Sequence, residues 1–409
     1  MFLFLLNACG SPPAIQTIPE VEPQANLLVI LIDTLRADAL AKAQTPVIDA
    51  LTAQGSSAKH AWSSGTWTVP SVFSLLTGLS VREHGWDEPS ARIGHYPQLA
   101  ALPNLPTVLQ NAGFHTAGFY ANPYLDEHLG MERGFETWQR TGDSQMAKSV
   151  GKHFKEHAND TARHFTYVHL LGPHSPLRPS DSARERWQVD KDWLDGKNGL
   201  RIGRAKRNKK EGVRQAYRQA YHAVIEDTDA RVGDILEALG PARENTWIVL
   251  TSDHGELLGE HNRVGHGRDL YQELTHIPFI VAPPPGKKAL SLPDTLNNAV
   301  LPAVAAELLQ VPSPWRNTLA SPLPLVSQRE GFLALSPDGK TKGIWHSTER
   351  QYDLEQDPNE NTPLPLEKDT QTAYAQWQST TPQGQPSPKM EVLDKKAQEA
   401  LKALGYQDQ

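Results

Sequence analysis

Two stretches of the chain, "NLLVILID" at 26–33 and "TWIVLTSDHGE" at 246–256, are continuous apolar runs that stop on acid or imidazole groups. A run of this kind without alternation reads as a strand covered on both faces, which requires helices on each side of the sheet. The intervening segments agree. "TPVIDALTAQG" is a short amphipathic helix closed by Gly55, "LPTVLQNAG" is a helix leading into the strand "FHTAGFYAN", and "HFTYVHLLGPHSP" is a strand entering a His-bearing loop. A long helix is expected from Glu211 to Leu239, another strand in "IPFIVAPP" and another helix in "NNAVLPAVAAELLQVP". The class is therefore α/β, with a central mixed, mostly parallel sheet and helices on both faces, over residues 26–324. Beyond it, "GFLALSPDGKTKGIWHS" is two alternating strands around Asp338-Gly339, so residues 325–409 are expected to form a small antiparallel C-terminal subdomain and tail.

A chain of 409 residues can bury one large core with an appendage, and a formal net charge of -7 speaks against a nucleic-acid partner. The dense basic run "RIGRAKRNKK" at 201–210 reads as a solvated loop; its functional alternative is a lid meeting an anionic substrate or lipid head group. The single cysteine, Cys9, sits in "MFLFLLNACGSPPAIQTIPEVEPQAN", whose apolar run is too short to cross a bilayer. Leu6-Asn7-Ala8-Cys9 followed by Gly10-Ser11 resembles a bacterial lipoprotein cleavage box, in which the cysteine becomes the lipidated first residue. Asn7 and the absence of a basic n-region depart from that pattern. On this reading residues 1–25 are a signal and Pro-rich tether, and the body is lipid-anchored in the cell envelope, facing the periplasm or the outside.

Chemistry collects at the strand ends: Asp33, then His169 and His174, then Asp253 and His254. In open α/β sheets these ends form the ligand crevice, and carboxylate oxygen with imidazole nitrogen suits a divalent ion. In "TWTVPSVFSLLTG", Thr68 precedes Pro70 at a helix start, where free backbone N–H groups and the helix dipole favour an anion. Locally such a Thr is a cap; beside the strand-end cluster it becomes a candidate nucleophile.

Taken in order, these segments resemble the sulfatase family of the alkaline phosphatase superfamily, from about Asn26 to Tyr406. "NLLVILIDTLRADAL" resembles the family's first metal-binding strand, and "TVPSVFSLLTGLSVREHG" its nucleophile segment. "VHLLGPHSPL" resembles its His-bearing loop, "TSDHGELLGEHNRVGHGRDLYQELTHIPFIV" its second metal-binding segment and "RQYDLEQDPNEN" its C-terminal signature. The resemblance implies an alkaline-phosphatase-like fold and an anionic ester substrate. It implies Asp33, Thr68, Asp253 and His254 around one divalent ion (Ca²⁺, Mn²⁺ or Zn²⁺), with Thr68 at the nucleophile position. His174 and His266 would contact the transferred group or protonate the leaving oxygen. His84 and His261 are weaker candidates for substrate contact, His84 reading more as a supporting residue and His261 as a surface residue; His169 reads as buried and satisfied.

Two departures bear on mechanism. Thr34 stands where the family commonly has a second metal-binding Asp, and the nucleophile motif has Thr68 for Cys or Ser and Val72 for Arg. The family oxidises its Cys or Ser to formylglycine, which the extra methyl of threonine forbids. An esterified Thr68 must instead be released by a second attack at the central atom, which phosphorus accepts more readily than sulfur. In this respect the chain resembles lipoteichoic acid synthases, phosphoethanolamine transferases and nucleotide pyrophosphatases of the same superfamily. Three readings follow: a metal-dependent hydrolase of sulfate or phosphate esters, a phosphoryl-group transferase, and an inactive anion-binding scaffold.

Overall fold

The structure is a computed structural model that describes residues 25–87, 95–97, 101–190, 211–312, 314–315, 324–329, 331–346, 348–385 and 390–403. Cys9 with its cleavage box and tether, and the basic run 201–210, lie outside the described residues. Among the described residues no helix is long and apolar enough to cross a membrane.

Among the described residues seven strands form the central sheet: β1 (Asn26–Ile32), β2 (Ser56–Ser57), β3 (His115–Tyr120), β4 (Thr137–Arg140), β5 (His164–Leu170), β6 (Thr246–Thr251) and β7 (Phe279–Ala282). Their spatial order is β2-β7-β6-β1-β5-β3-β4. The five strands from β6 to β4 are parallel, and at one edge β7 runs antiparallel to both its neighbours, β6 and β2, so the sheet is mixed and mostly parallel. β1 at the centre shows why its sequence has no polar alternation. Leu27, Val29 and Leu31 enter the core of one face, while Leu28, Ile30 and Ile32 enter that of the other.

Helices cover both faces. α2 (Thr68–Thr77), α3 (Leu105–Asn111) and α6 (Leu301–Leu309) pack on the first face; α1 (Pro46–Gln54), α4 (Asp143–Glu156) and α5 (Glu211–Ala238) pack on the second. α2 is buried along its whole length, as its nearly unbroken apolar sequence requires, and ends at Gly78, whose φ of 71° closes the helix in the left-handed conformation.

A separate antiparallel sheet follows, β8 (Leu325–Arg329), β9 (Phe332–Ser336), β10 (Thr341–Trp345) and β11 (Arg350–Asp353), in sequence order. The expected Asp-Gly hairpin joins β9 to β10, with Gly339 at φ 77°. Within the C-terminal part, Lys342 Nζ and Glu360 Oε1 form a fully buried ion pair at 3.0 Å. This pair meets the main body through the Gln272 N–H, which donates to Glu360, and Thr275 Oγ1, 3.5 Å from Lys342 Nζ, and a bridge between Gly65 and Gln328 just ahead of α2 adds a second link.

Candidate active site

Strand register decides which side chains meet. Leu31 of β1 lies opposite both His169 of β5 and Thr251 of β6, and Tyr120 of β3 also lies opposite His169. Continuing each strand by two residues brings Asp33, Asn122 and Asp253 to one edge of the sheet, at the carboxyl ends of parallel strands. The ligand atoms of Asp33, Asp253 and His254 lie within 4.8 Å of one another, and all three residues are fully buried.

These donors fit a cation. His254 Nε2 is 3.5 Å from Asp253 Oδ2 and 3.8 Å from Asp33 Oδ1, and these three atoms are buried without a hydrogen-bond partner. His254 Nδ1 donates to the Gly255 carbonyl at 2.9 Å, which leaves the Nε2 lone pair facing the two carboxylates. Two buried carboxylates, each with an oxygen lacking a donor, are costly without a positive charge between them. Burial pushes both upward. For Asp33 it is outweighed by His174, His169 and His254, which hold its carboxyl well below the usual range. Asp253 stays raised, because the Asp33 charge adds to burial and exceeds the help from His254, His169 and the Thr34 N–H.

Thr68 is the first residue of α2, and its N-cap, Trp67, makes no side-chain cap bond. Its hydroxyl is fully buried and is reached by the Asn122 amide, whose Nδ2 donates to Thr68 Oγ1 at 3.2 Å and to Asp33 Oδ2 at 2.8 Å. One amide thus holds the candidate nucleophile beside the candidate metal ligand. Ser71, one turn along, donates to the Asp253 carbonyl at 2.5 Å and accepts from Asn298 at 2.9 Å, tying the helix to the β6 end.

His174 and His266 complete the pocket, with ring centroids 5.2 Å apart; His266 is 4.4 Å from the His254 ring. His174 Nδ1 donates to the Ser175 carbonyl at 2.7 Å, and burial lowers its pKa against the opposing pull of Asp33. His266 Nδ1 lies 3.3 Å from Oε1 of Glu256, a fully buried carboxylate on the segment that also carries Asp253 and His254.

Two sequence expectations need correction, and a third, His169, is met with an added role. His84 is not brought to the pocket. It is fully buried, with Nε2 3.1 Å from Ser74 Oγ and Nδ1 accepting from the Trp86 N–H at 3.1 Å, and burial pushes its pKa down to about 3. It braces α2 through Ser74 and Phe73. His261 is not a surface residue: its ring stacks on Tyr271 at 3.7 Å and faces Glu273 at 3.5 Å, with its side chain 10% exposed. His169 is buried, but its Nε2 lies 3.2 Å from Asp33 Oδ2, so it orients a ligand as well as filling the core.

Both departures have a visible structural form. Thr34 has φ 59°, a conformation costing a β-branched residue about 1–2 kcal/mol. Its hydroxyl donates to the Asp33 carbonyl at 2.7 Å, its N–H to Asp253 Oδ1 at 3.2 Å, and its carbonyl accepts from Tyr221 at 2.7 Å. The hydroxyl is therefore turned to the backbone and adds no oxygen to the cluster. Val72 is fully buried among apolar side chains. Asn122 and Glu256 were not identified from sequence. Asn122 follows a strand, which is the signal that marked Asp33 and Asp253, but an amide has no acid-base chemistry to draw notice.

The sulfatase family model matches residues 25–308. The chain is 41% identical over 69 residues to the uncharacterized sulfatase YidJ of Escherichia coli (strain K12), covering 17% of this chain and 14% of that protein. It is 21% identical over 444 aligned positions to the arylsulfatase of Clostridium perfringens (strain 13 / Type A), covering 83% of this chain and 90% of that one. Among solved structures, the phosphonate monoester hydrolase of Agrobacterium radiobacter superposes with a TM-score of 0.64 at 18% identity, over 87% of this chain and 94% of that one, a likeness of fold.

Proposed function

Because the chain belongs to the sulfatase family of the alkaline phosphatase superfamily, we propose that it hydrolyses anionic sulfate or phosphate esters with Thr68 as the nucleophile. The observation that carries this reading is the Asn122 amide, which holds the Thr68 hydroxyl beside Asp33 in a pocket whose three orphaned donor atoms suit a divalent ion. Asp33, Asp253 and His254 would hold that ion; bound there, it would lower the pKa of the Thr68 hydroxyl and offset oxyanion charge.

The chain's own residues supply the remaining work. The Thr68 hydroxyl releases its proton to solvent, and its oxygen forms the new bond to phosphorus or sulfur as the bond to the leaving alkoxide breaks. The uncapped first turn of α2 directs backbone N–H groups at the equatorial oxygens. His266, oriented by Glu256, delivers a proton to the leaving oxygen, and His174 contacts the transferred group. Water then attacks the same central atom, giving a proton to His266, as the bond to Thr68 breaks and the Thr68 oxygen regains a proton from solvent. The requirement for that second displacement favours phosphate over sulfate. The same requirement supports a second reading, transfer to an acceptor alcohol in place of water.

The test is hydrolysis of an aryl phosphate monoester, an aryl phosphodiester and an aryl sulfate by wild type, Thr68→Ser and Thr68→Ala, with EDTA and metal add-back. Turnover lost in Thr68→Ala and in EDTA, retained in Thr68→Ser, and faster on phosphate is the expected pattern. Product partitioning with added alcohol separates hydrolysis from transfer. Turnover unaffected by Thr68→Ala refutes the nucleophile assignment. Retention of aryl phosphate without turnover would instead favour the inactive anion-binding scaffold. A lipid on Cys9, read by mass spectrometry of the N-terminal peptide, tests the proposed envelope anchor.

A further inference from the structure

We infer that the opposite end of the sheet carries a metal site of its own, a surface site for a zinc-type transition-metal ion formed by His115, His157 and Asp160. The donor atoms of these three residues lie within 4.8 Å of one another. Asp160 Oδ2 is the hub, 3.0 Å from His115 Nε2 and 2.8 Å from His157 Nδ1. Four-coordinate zinc with nitrogen and oxygen ligands at about 2.0–2.1 Å has donor atoms roughly 3.3 Å apart. Both imidazole nitrogens need to draw back from Asp160 Oδ2 by a few tenths of an ångström to admit the ion, a movement open to side chains that are 25%, 31% and 45% exposed. Two imidazoles and one carboxylate select a borderline-soft ion over calcium or magnesium, which take oxygen ligands.

Two further features distinguish this trio from a chance meeting of polar side chains. His115 Nδ1, the nitrogen turned away from Asp160, lies 3.0 Å from Glu136 Oε2. That is the carboxylate–histidine–metal arrangement, which fixes the ring and strengthens the other nitrogen as a ligand. His157 is the C-cap of α4, a 14-residue helix whose carbonyl end favours a cation. The partial exposure of all three ligands gives the ion an entry path and leaves room for a water as fourth ligand.

The site is separate from the catalytic pocket. His115 opens β3 and lies opposite His164, the first residue of β5, whereas Asn122 and His169 lie at the far ends of those strands. A seven-residue strand spans about 20 Å. The ligands come from the start of β3, the end of α4 and the turn into β5, so a bound ion would staple these elements and act on stability.

The test is zinc content and thermal unfolding of the full chain, stripped with EDTA and equilibrated with Zn²⁺. Wild type, His115→Gln/His157→Gln, Asp160→Asn and Asp253→Asn are compared. The expected result is one zinc fewer per chain in both variants of the trio, with loss of the Zn²⁺-induced rise in Tm due to that ion. Asp253→Asn retains that equivalent whatever it does to the catalytic pocket, so failure of the catalytic-metal reading and of this one give different patterns. Wild-type zinc content and affinity in either folded variant of the trio overturns the proposal.

Discussion

If Asp33 and Asp253 are held together for a cation, removing one charge stabilises the metal-free protein while destroying its response to metal. Asp253→Asn is the perturbation. Its Oδ1 accepts from the Thr34 N–H at 3.2 Å and the His254 N–H at 2.9 Å, and an asparagine oxygen can keep both bonds. Oδ2, which has no donor, becomes an NH₂ group facing the Asp33–His254 side of the cluster. Two charges at the 4.8 Å limit of this cluster repel by roughly 3–4 kcal/mol at an effective dielectric of 20. The imidazoles already return part of that, so a net gain of about 1–3 kcal/mol is expected, or roughly 1–4 °C in Tm for a chain of 409 residues. A wild-type protein at a hundredfold excess of metal over Kd gains about 2.7 kcal/mol from binding. The variant gains none. Thermal unfolding in EDTA, then with whichever of Ca²⁺, Mn²⁺ and Zn²⁺ raises the wild-type midpoint, reads both effects, with His115→Gln/His157→Gln as the background for each. A metal-free Asp253→Asn that melts below metal-free wild type, or that gains as much from the ion, refutes the reasoning.

Asn122→Ala removes a donor shared by Asp33 and Thr68. A hydrogen bond to a charged group is worth about 1.5–3 kcal/mol, so kcat/KM on the best aryl ester should fall roughly 10- to 150-fold. His84→Asn tests the bracing role: the pKa of the buried ring is pushed down to about 3, below its ordinary value of 6.5, so the unfolded chain binds the proton first. Wild type should lose stability as pH falls from 6.5 towards 3, and the variant should lose less, with KM unchanged, as followed by denaturant unfolding across that range. Lys342→Met strands Glu360 in the interface between the C-terminal sheet and the main body. It should cost about 3–5 kcal/mol in urea unfolding, much of it recovered in Lys342→Met/Glu360→Gln.

The sheet was legible in sequence because its central strands are apolar on both faces. β1 and β6 have no polar interruption, and the groups that end them mark the crevice. The site was legible as far as residue chemistry reached: Asp33, Asp253, His254, Thr68, His174 and His266 all converge. What escaped depends on register and packing between distant segments. Asn122 matters because β3 runs two strands from β1 and ends level with it, which no local pattern encodes. His169 reads as a core residue until the β1–β5 pairing sets it against Asp33. His261 looks solvated in "GEHN" because its burial comes from Tyr271, ten residues on, and from Glu273. The left-handed Thr34 is set by long-range bonds from Tyr221 and to Asp253, so its sequence context gave no sign of it.

The most direct test of Thr68 as a covalent nucleophile is mass spectrometry of its peptide after rapid acid quench during turnover of an aryl phosphate or sulfate. The expected result is a phospho- or sulfo-threonine at Thr68 that disappears on EDTA treatment. Turnover with no adduct on Thr68, at a rate the Thr68→Ala variant shares, would contradict it.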